Sequence, residues 1–129
     1  VAQAEQVDVF RNAAAHLAPG GRFLVEVSVP PIDRVLPGEP GRVFAMEDDH
    51  VGVETFDDPV GQISWSHHWW NVGGRLVRHA APYRYVWPAE LDLMAQVAGM
   101  TREHRWADWR HDAFTADSSA HVSVWRRPD

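Results

Sequence analysis

Leu17-Ala-Pro-Gly-Gly-Arg-Phe-Leu-Val-Glu-Val27 joins, without a gap, the end of an amphipathic helix, a tight turn and the start of a β-rich run. Upstream of it Val7, Phe10, Ala14 and Leu17 recur at helical spacing. Pro19, Gly20 and Gly21 then stop the helix and turn the chain, since proline lacks an amide donor and glycine accepts left-handed backbone. Phe23 to Val29 reads as a strand. Val25, Val27 and Val29 share one face and Leu24 the other, which predicts burial on both sides, as in a parallel α/β sheet.

Around this stretch, composition sets the bounds. The 129 residues, 45% of them hydrophobic, suffice for one modest core and read as a single domain. Cysteine is absent, which excludes disulfides, thiolate metal sites and a cysteine nucleophile. A net charge of −6 argues against tracking nucleic-acid phosphates. Every basic residue other than histidine is arginine, so no lysine is available for a Schiff base or a phosphate loop. No signal-like start and no membrane-length apolar run occurs, and the expected location is cytoplasmic. Glu47, Asp48, Asp49, Asp57 and Asp58 read as turn residues.

Downstream the pattern changes. Pro30, Pro31 and the run from Pro37 to Gly41 form a loop that cannot continue a sheet. Arg42 to Met46, Val51 to Phe56, Gln62 to Trp70 and Arg75 to Trp87 follow, separated by hairpin signals at Asp48-Asp49-His50, Asp57-Asp58-Pro59 and Asn71-Val72-Gly73-Gly74. They predict a four-stranded antiparallel meander. In its third strand Ile63, Trp65, His67 and Trp69 face one way, and Gln62, Ser64, Ser66, His68 and Trp70 the other. Its fourth strand sets Val77, His79, Tyr83 and Tyr85 together unless a bulge near Ala80-Ala81-Pro82 shifts the phase. Pro88 suits the first turn of a helix that Gly99 stops, with Leu91, Met94, Ala95 and Ala98 as its buried stripe and Glu90 and Asp92 near its positive end. Thr101 to Trp109 and His121 to Trp125 read as two last strands.

The Leu17-Ala-Pro-Gly-Gly turn resembles the "L-x-P-G-G" turn that leads into the fifth strand of class I S-adenosylmethionine-dependent methyltransferases. Tyr83 to Gly99 is similar to that family's late "Y-x-x-P-x-E-L-x-x-x-x-x-x-A-G" helix, and Ser119 to Arg126 to its final strand. The resemblance covers nearly the whole chain in order. It implies an α/β, locally α+β, fold: the C-terminal half of a Rossmann-like sheet, with two main helices, a meander inserted at about 42–87, and the last strand antiparallel between the two before it. The family's glycine-rich loop, ribose-gripping acid and fourth strand precede the turn, and no G-x-G-x-x-G occurs in these residues. The expectation is therefore an acceptor-side, C-terminal portion of a methyltransferase without its cofactor cradle. S-adenosylmethionine would be the cofactor of the full-length protein, and the isolated chain would be inactive.

In that family, inserted strands commonly wall the acceptor site, which makes Trp65, Trp69, Tyr83 and Tyr85 candidates for substrate binding and His67 for general base. The bland reading of the same residues is a meander core with a hydrogen-bonded histidine. Other groups read as structural. His67, His68, His79 and His121 lack H-x-H or H-E-x-x-H spacing, and no metal is expected. Glu90 with Asp92 fits helix capping, Asp108 with Asp112 a solvated loop, and Asp117, Ser118, Ser119 and His121 lie too close in sequence for a triad.

The function implied is methyl transfer to a small molecule. The alternative is a small α+β ligand-binding or dimerisation module whose aromatic pocket is lined by Trp65, Trp69 and Tyr85. Phe23 to Val29 should be an open sheet edge, covered by a second copy in a homodimer or by the missing N-terminal half.

Overall fold

The computed structural model describes residues 2–32, 35 and 38–129 and divides into two compact units. One comprises Ala2–Pro30 with Val86–Asp129, the other Pro31–Tyr85. Pro37, at the start of the expected proline-rich loop, lies outside the described residues.

The first unit opens with helix α1, Gln3–His16. The Ala2 amide donates to the Glu5 carboxylate at 2.6 Å, which occupies one of the free donors of the helix start. At the other end, Arg127 Nη1 donates to the Ala14 carbonyl at 3.0 Å and also to that of Leu17, filling acceptors that the last turn leaves open. Gly20 follows with φ 72°, and an added Cβ there would come within 2.8 Å of the Asp129 carboxylate. The helix buries Phe10, with Val7, Ala14 and Leu17 packed around it, as its spacing predicts.

Strand β1, Arg22–Ser28, begins a three-stranded sheet. The strands that complete it come from the chain's end: β6, Thr101–Trp106, and β7, Ala120–Arg126. Strand order is β1-β7-β6, and β7 is antiparallel to both neighbours, with Phe23 opposite Trp125 and Trp106 opposite Val122. The last strand therefore lies between the two earlier ones, as expected. β6 ends three residues short of the expected Trp109, where the chain turns back through an isolated bridge from Trp106 to Ala113.

The expectation of two-sided burial for β1 is corrected. Phe23, Val25 and Val27 pack against the core, whereas Leu24 is 44% exposed and Arg22, Glu26 and Ser28 are exposed beside it. β1 is an edge strand with one apolar face over the core, and among the described residues it pairs only with β7. The two-sided strand is the central one: Val122, Val124, His121, Ser123 and Trp125 are all buried. Phe10 meets Phe23 and Trp125 edge-on, each at 5.2 Å between ring centres. Helix α2, Pro88–Val97, has Pro88 in its first turn and adds Leu91, Met94 and Ala95 to this core, with Ala98 beside them. Gly99, at φ 76°, ends it.

Asp92 turns out to be more than a residue at a helix start. Its carboxylate accepts from Trp125 Nε1 at 3.0 Å, Arg102 at 2.9 Å and Arg105 at 2.8 Å. Arg105 Nε in turn donates to Ser123 Oγ at 2.7 Å, and Ser123 lies 2.8 Å from His121 Nδ1. Because the serine accepts from arginine, its own proton serves Nδ1 best, which leaves the His121 proton on Nε2, a buried atom without a partner among the described residues. Burial, and then the nearby Arg105 cation, push the His121 pKa down to about 4, against a smaller opposing pull from Asp92. The unfolded chain binds a proton there that the folded chain refuses. Stability from this group is therefore full above pH 6.5 and falls as the pH drops toward 4, by about 3 kcal/mol. Urea midpoints at pH 7.5 and 4.5 should fall much further for the native chain than for His121→Gln.

Candidate functional site

The second unit is the meander: β2, Gly41–Met46; β3, His50–Asp58; β4, Ile63–Val72; and β5, Arg75–Arg84, in that order and antiparallel throughout. Gly73 and Gly74, at φ 60° and 80°, make the two-residue turn between β4 and β5, a conformation suited to glycine in tight hairpins. Pairing of β4 with β5 runs without a shift from Ile63 opposite Arg84 to Val72 opposite Arg75. The bulge considered near Ala80-Ala81-Pro82 is thus absent, and β5 ends at Arg84 rather than Trp87. Pro82 is accommodated because β5 is an outer strand.

Alternation along β4 produces two different faces. On the first, the rings of Trp65, His67 and Trp69 stack in a file, with centres 6.2 and 6.0 Å apart and planes 16° and 24° from parallel. The Arg78 guanidinium, from the residue opposite Trp69, lies 5.8 Å from that indole's centre. His67 Nε2 is 3.2 Å from Thr55 Oγ1, whose proton goes to Asp57 at 2.9 Å, and His67 Nδ1 is 3.5 Å from Arg78 Nη2. All three rings are half-buried, so the file is a lined surface rather than a closed core.

The second face is polar beneath its rings. His50 Nε2 lies 2.9 Å from His68 Nδ1, and Ser66 Oγ 2.8 Å from His68 Nε2. Trp70 stacks on His50 at 3.6 Å. Glu54, buried, accepts from Arg42 at 3.1 Å and from Ser64 at 3.3 Å. Tyr83 stands opposite Ser64 and so belongs to this face, away from Trp65, His67 and Trp69. Tyr85 lies just beyond β5, where its amide donates to the Gln62 carbonyl at 3.0 Å and its ring meets Phe56 edge-on at 5.8 Å. Burial, and then Asp58, push its hydroxyl pKa up, which keeps it a proton donor.

Of the five sequence candidates, Trp65, His67 and Trp69 thus share one face and the two tyrosines do not join them. Sequence reasoning missed Thr55, Asp57 and Arg78. Asp57 read as a turn residue, and only the pairing of β3 with β4 brings Thr55 to His67. His67 and His68 do point apart, and His79, opposite His68, lies on the second face. Among the described residues no group of three or more histidine, aspartate or glutamate side chains could hold a metal ion. Asp108 and Asp112 are bridged by Arg110. Ser118 Oγ accepts the Thr115 amide, and no triad forms at His121. No described helix is long and apolar enough to cross a membrane.

Gly52 sits directly under Phe44, whose ring meets His68 edge-on at 5.4 Å. An added Cβ would come within 2.5 Å of that ring. Phe44 is 41% exposed, so Gly52→Ala should swing its ring off His68 at a cost of less than about 1 kcal/mol, read as a small shift in the urea midpoint.

The chain shares 38% identity over 99% of its length with the solved structure of the CcbJ methyltransferase from Streptomyces caelestis, at a TM-score of 0.83. An S-adenosylmethionine-dependent methyltransferase from Clostridium acetobutylicum, 10% identical, superposes over 98% of the chain at a TM-score of 0.71. CalS10 from Micromonospora echinaspora, an amino pentose methyltransferase of calicheamicin biosynthesis, is 21% identical over 96% at a TM-score of 0.64. The chain spans about half the length of each, 52%, 52% and 51%. No protein-family model and no curated protein matches it. With its last strand set antiparallel between two others, the chain has the fold of the C-terminal part of a class I S-adenosylmethionine-dependent methyltransferase.

S-adenosylmethionine is the cofactor of that family. Among the described residues no glycine-rich loop of the kind that cradles it is formed. Among the described residues the strand that leads into a helix is β5, and it does so through Tyr85-Val86-Trp87, with no glycine to let a backbone approach the cofactor.

Proposed function

We propose that this chain is the acceptor-side part of a methyltransferase that acts on a small molecule, and that it is inactive alone. The observation that carries the methyltransferase reading is the 38% identity to CcbJ across 99% of the chain. That a neighbour of the same fold, CalS10, is an amino pentose methyltransferase favours a small acceptor. The first face of β4 is the acceptor wall in this reading: Trp65 and Trp69 offer half-buried indoles on which an apolar or sugar ring stacks, and His67 lies between them.

Methyl transfer from a sulfonium donor needs the acceptor's nucleophilic atom held in line and, for an N–H or O–H acceptor, a group to take its proton. His67 supplies that group at a ring nitrogen. Tyr83 and Tyr85, away from the file, serve the acceptor only from the meander's other side or its end.

Two further readings belong to this proposal. The two units act together as one domain, with the meander as its insert. The free edge of β1 is covered, either by a fourth strand of the parent sheet or by a second copy, since a bare apolar edge invites association.

Isothermal titration of the 129-residue chain with S-adenosylmethionine should give no stoichiometric binding. Tight binding would overturn the inactive, acceptor-side reading. In the methylating protein that carries this chain, His67→Ala should lower kcat by about 10²-fold on a small amine or hydroxyl acceptor while leaving S-adenosylmethionine binding intact. An unchanged kcat would remove His67 from the chemistry.

A further inference from the structure

We propose that Thr55 and Asp57 are positioning residues for His67, holding its imidazole as the Nε2–H tautomer so that Nδ1 presents the lone pair. This rests on the reading of His67 as the proton acceptor.

A threonine hydroxyl has one proton. Thr55 Oγ1 lies 2.9 Å from Asp57 Oδ2, a carboxylate that only accepts, so the hydroxyl proton is committed there. Toward His67 Nε2, at 3.2 Å, the same oxygen has only lone pairs left, and the contact is a hydrogen bond only when Nε2 carries the proton. The opposite side of the ring agrees. Nδ1 faces Arg78 Nη2 at 3.5 Å, and a guanidinium has nothing but donors, so Nδ1 faces it as the unprotonated nitrogen. The shorter contact, to Thr55, selects the tautomer; Arg78 is compatible with it, but at 3.5 Å and from an exposed side chain it holds Nδ1 only weakly and leaves its lone pair accessible.

The backbone makes the arrangement. Register between β3 and β4 shifts between Thr55, opposite Trp65, and Asp58, opposite Ile63, so that β3 carries one extra residue there. Thr55 and Asp57, two residues apart, lie on one side of the strand, and their side chains meet beside this irregularity. The flanking indoles hold the ring plane, which lies within 16° of Trp65 and 24° of Trp69.

In the reaction, the exposed Arg78 side chain moves off Nδ1. The proton of the acceptor's N–H or O–H passes to Nδ1, and the electron pair it leaves stays on that heteroatom for the new bond to the donor's methyl carbon. The methyl–sulfur bond breaks with its pair left on the sulfur as a neutral thioether. The imidazolium that results keeps its Nε2–H on Thr55, whose proton remains on Asp57. Asp57 is exposed, so it acts by directing the threonine proton rather than through its charge at a distance.

The test is long-range ¹⁵N–¹H correlation of the histidine rings in the whole 129-residue chain at pH 7.5, with the His67 signals assigned from His67→Gln. The native chain and Thr55→Ser should show an unprotonated Nδ1 and a protonated Nε2. Thr55→Val, which removes the acceptor, and Asp57→Ala, which frees the hydroxyl to donate, should each shift the ring toward the Nδ1–H form. A native ring protonated on Nδ1, or variants that leave the tautomer unmoved, would overturn the proposal. In the methylating protein, Thr55→Val should lower kcat about tenfold with KM within about twofold, and Thr55→Ser should restore it. If His67→Ala leaves kcat intact while the tautomer responds as stated, the base reading fails and the positioning stands. If His67→Ala abolishes turnover while the tautomer ignores Thr55 and Asp57, the reverse holds.

Discussion

The half-buried carboxylate of Asp92 is what the sheet of the first unit depends on. A strand inserted between two others must lose water from both faces, and β7 does so while carrying His121 and Ser123, each with no exposed surface. Those polar groups are tolerable only because a chain of donors and acceptors runs from Asp92 through Arg105 to Ser123 and His121. The Arg105 side chain is itself 8% exposed, and its charge is met by Asp92 at close range. Asp92 also takes the indole proton of Trp125, so one helical residue fixes both the polar and the aromatic content of the central strand. Loss of that carboxylate would leave the Arg105 guanidinium without its counter-charge and the Trp125 indole without its acceptor.

Much of this was legible in the residues. The helix spacing of Phe10 and Ala14, the Pro19-Gly20 turn, the stripe of Leu91, Met94 and Ala95, and the hairpin glycines are local signals, and local signals determine local structure. The position of β7 came from resemblance, since nothing within Ala120–Arg126 says which strands will flank it. The misjudged burial of β1 has a plain cause. An apolar run announces that a strand is able to be buried on two faces, not that the described residues cover both, and Leu24 is exposed among them. The end of β5 was overestimated for the same kind of reason. Tyr85, Val86 and Trp87 are suited to a strand, but Pro88 starts a helix and the residues before it become its approach.

For the candidate site, the period of two in β4 sorted Trp65, His67 and Trp69 from His68 and Trp70 correctly, because that alternation is intrinsic to an extended chain. What no single strand reveals is its neighbour. The separation of Tyr83 from Trp65 follows from the β4–β5 register, and the meeting of Thr55 with His67 follows from the regular part of the β3–β4 register. Function-bearing geometry in a meander is written in the register, which is set by turns and bulges rather than by the residues that use it.

The glycine pair at the tip of β4 and β5 acquires a larger meaning from the repetitive strand it serves. On the first face of Ser64-Trp-Ser-His-His-Trp-Trp70, displacing β4 by two positions would again set a tryptophan or histidine ring at two of the three places held by Trp65, His67 and Trp69. For that one face, the displaced pairing comes close to the native one. The constraint that tells them apart is the closure at Gly73 and Gly74, whose left-handed backbone admits one alignment of the two arms. A residue with a side chain at either place would cost more than local strain: it would loosen the reference mark from which every aromatic position in the meander is counted.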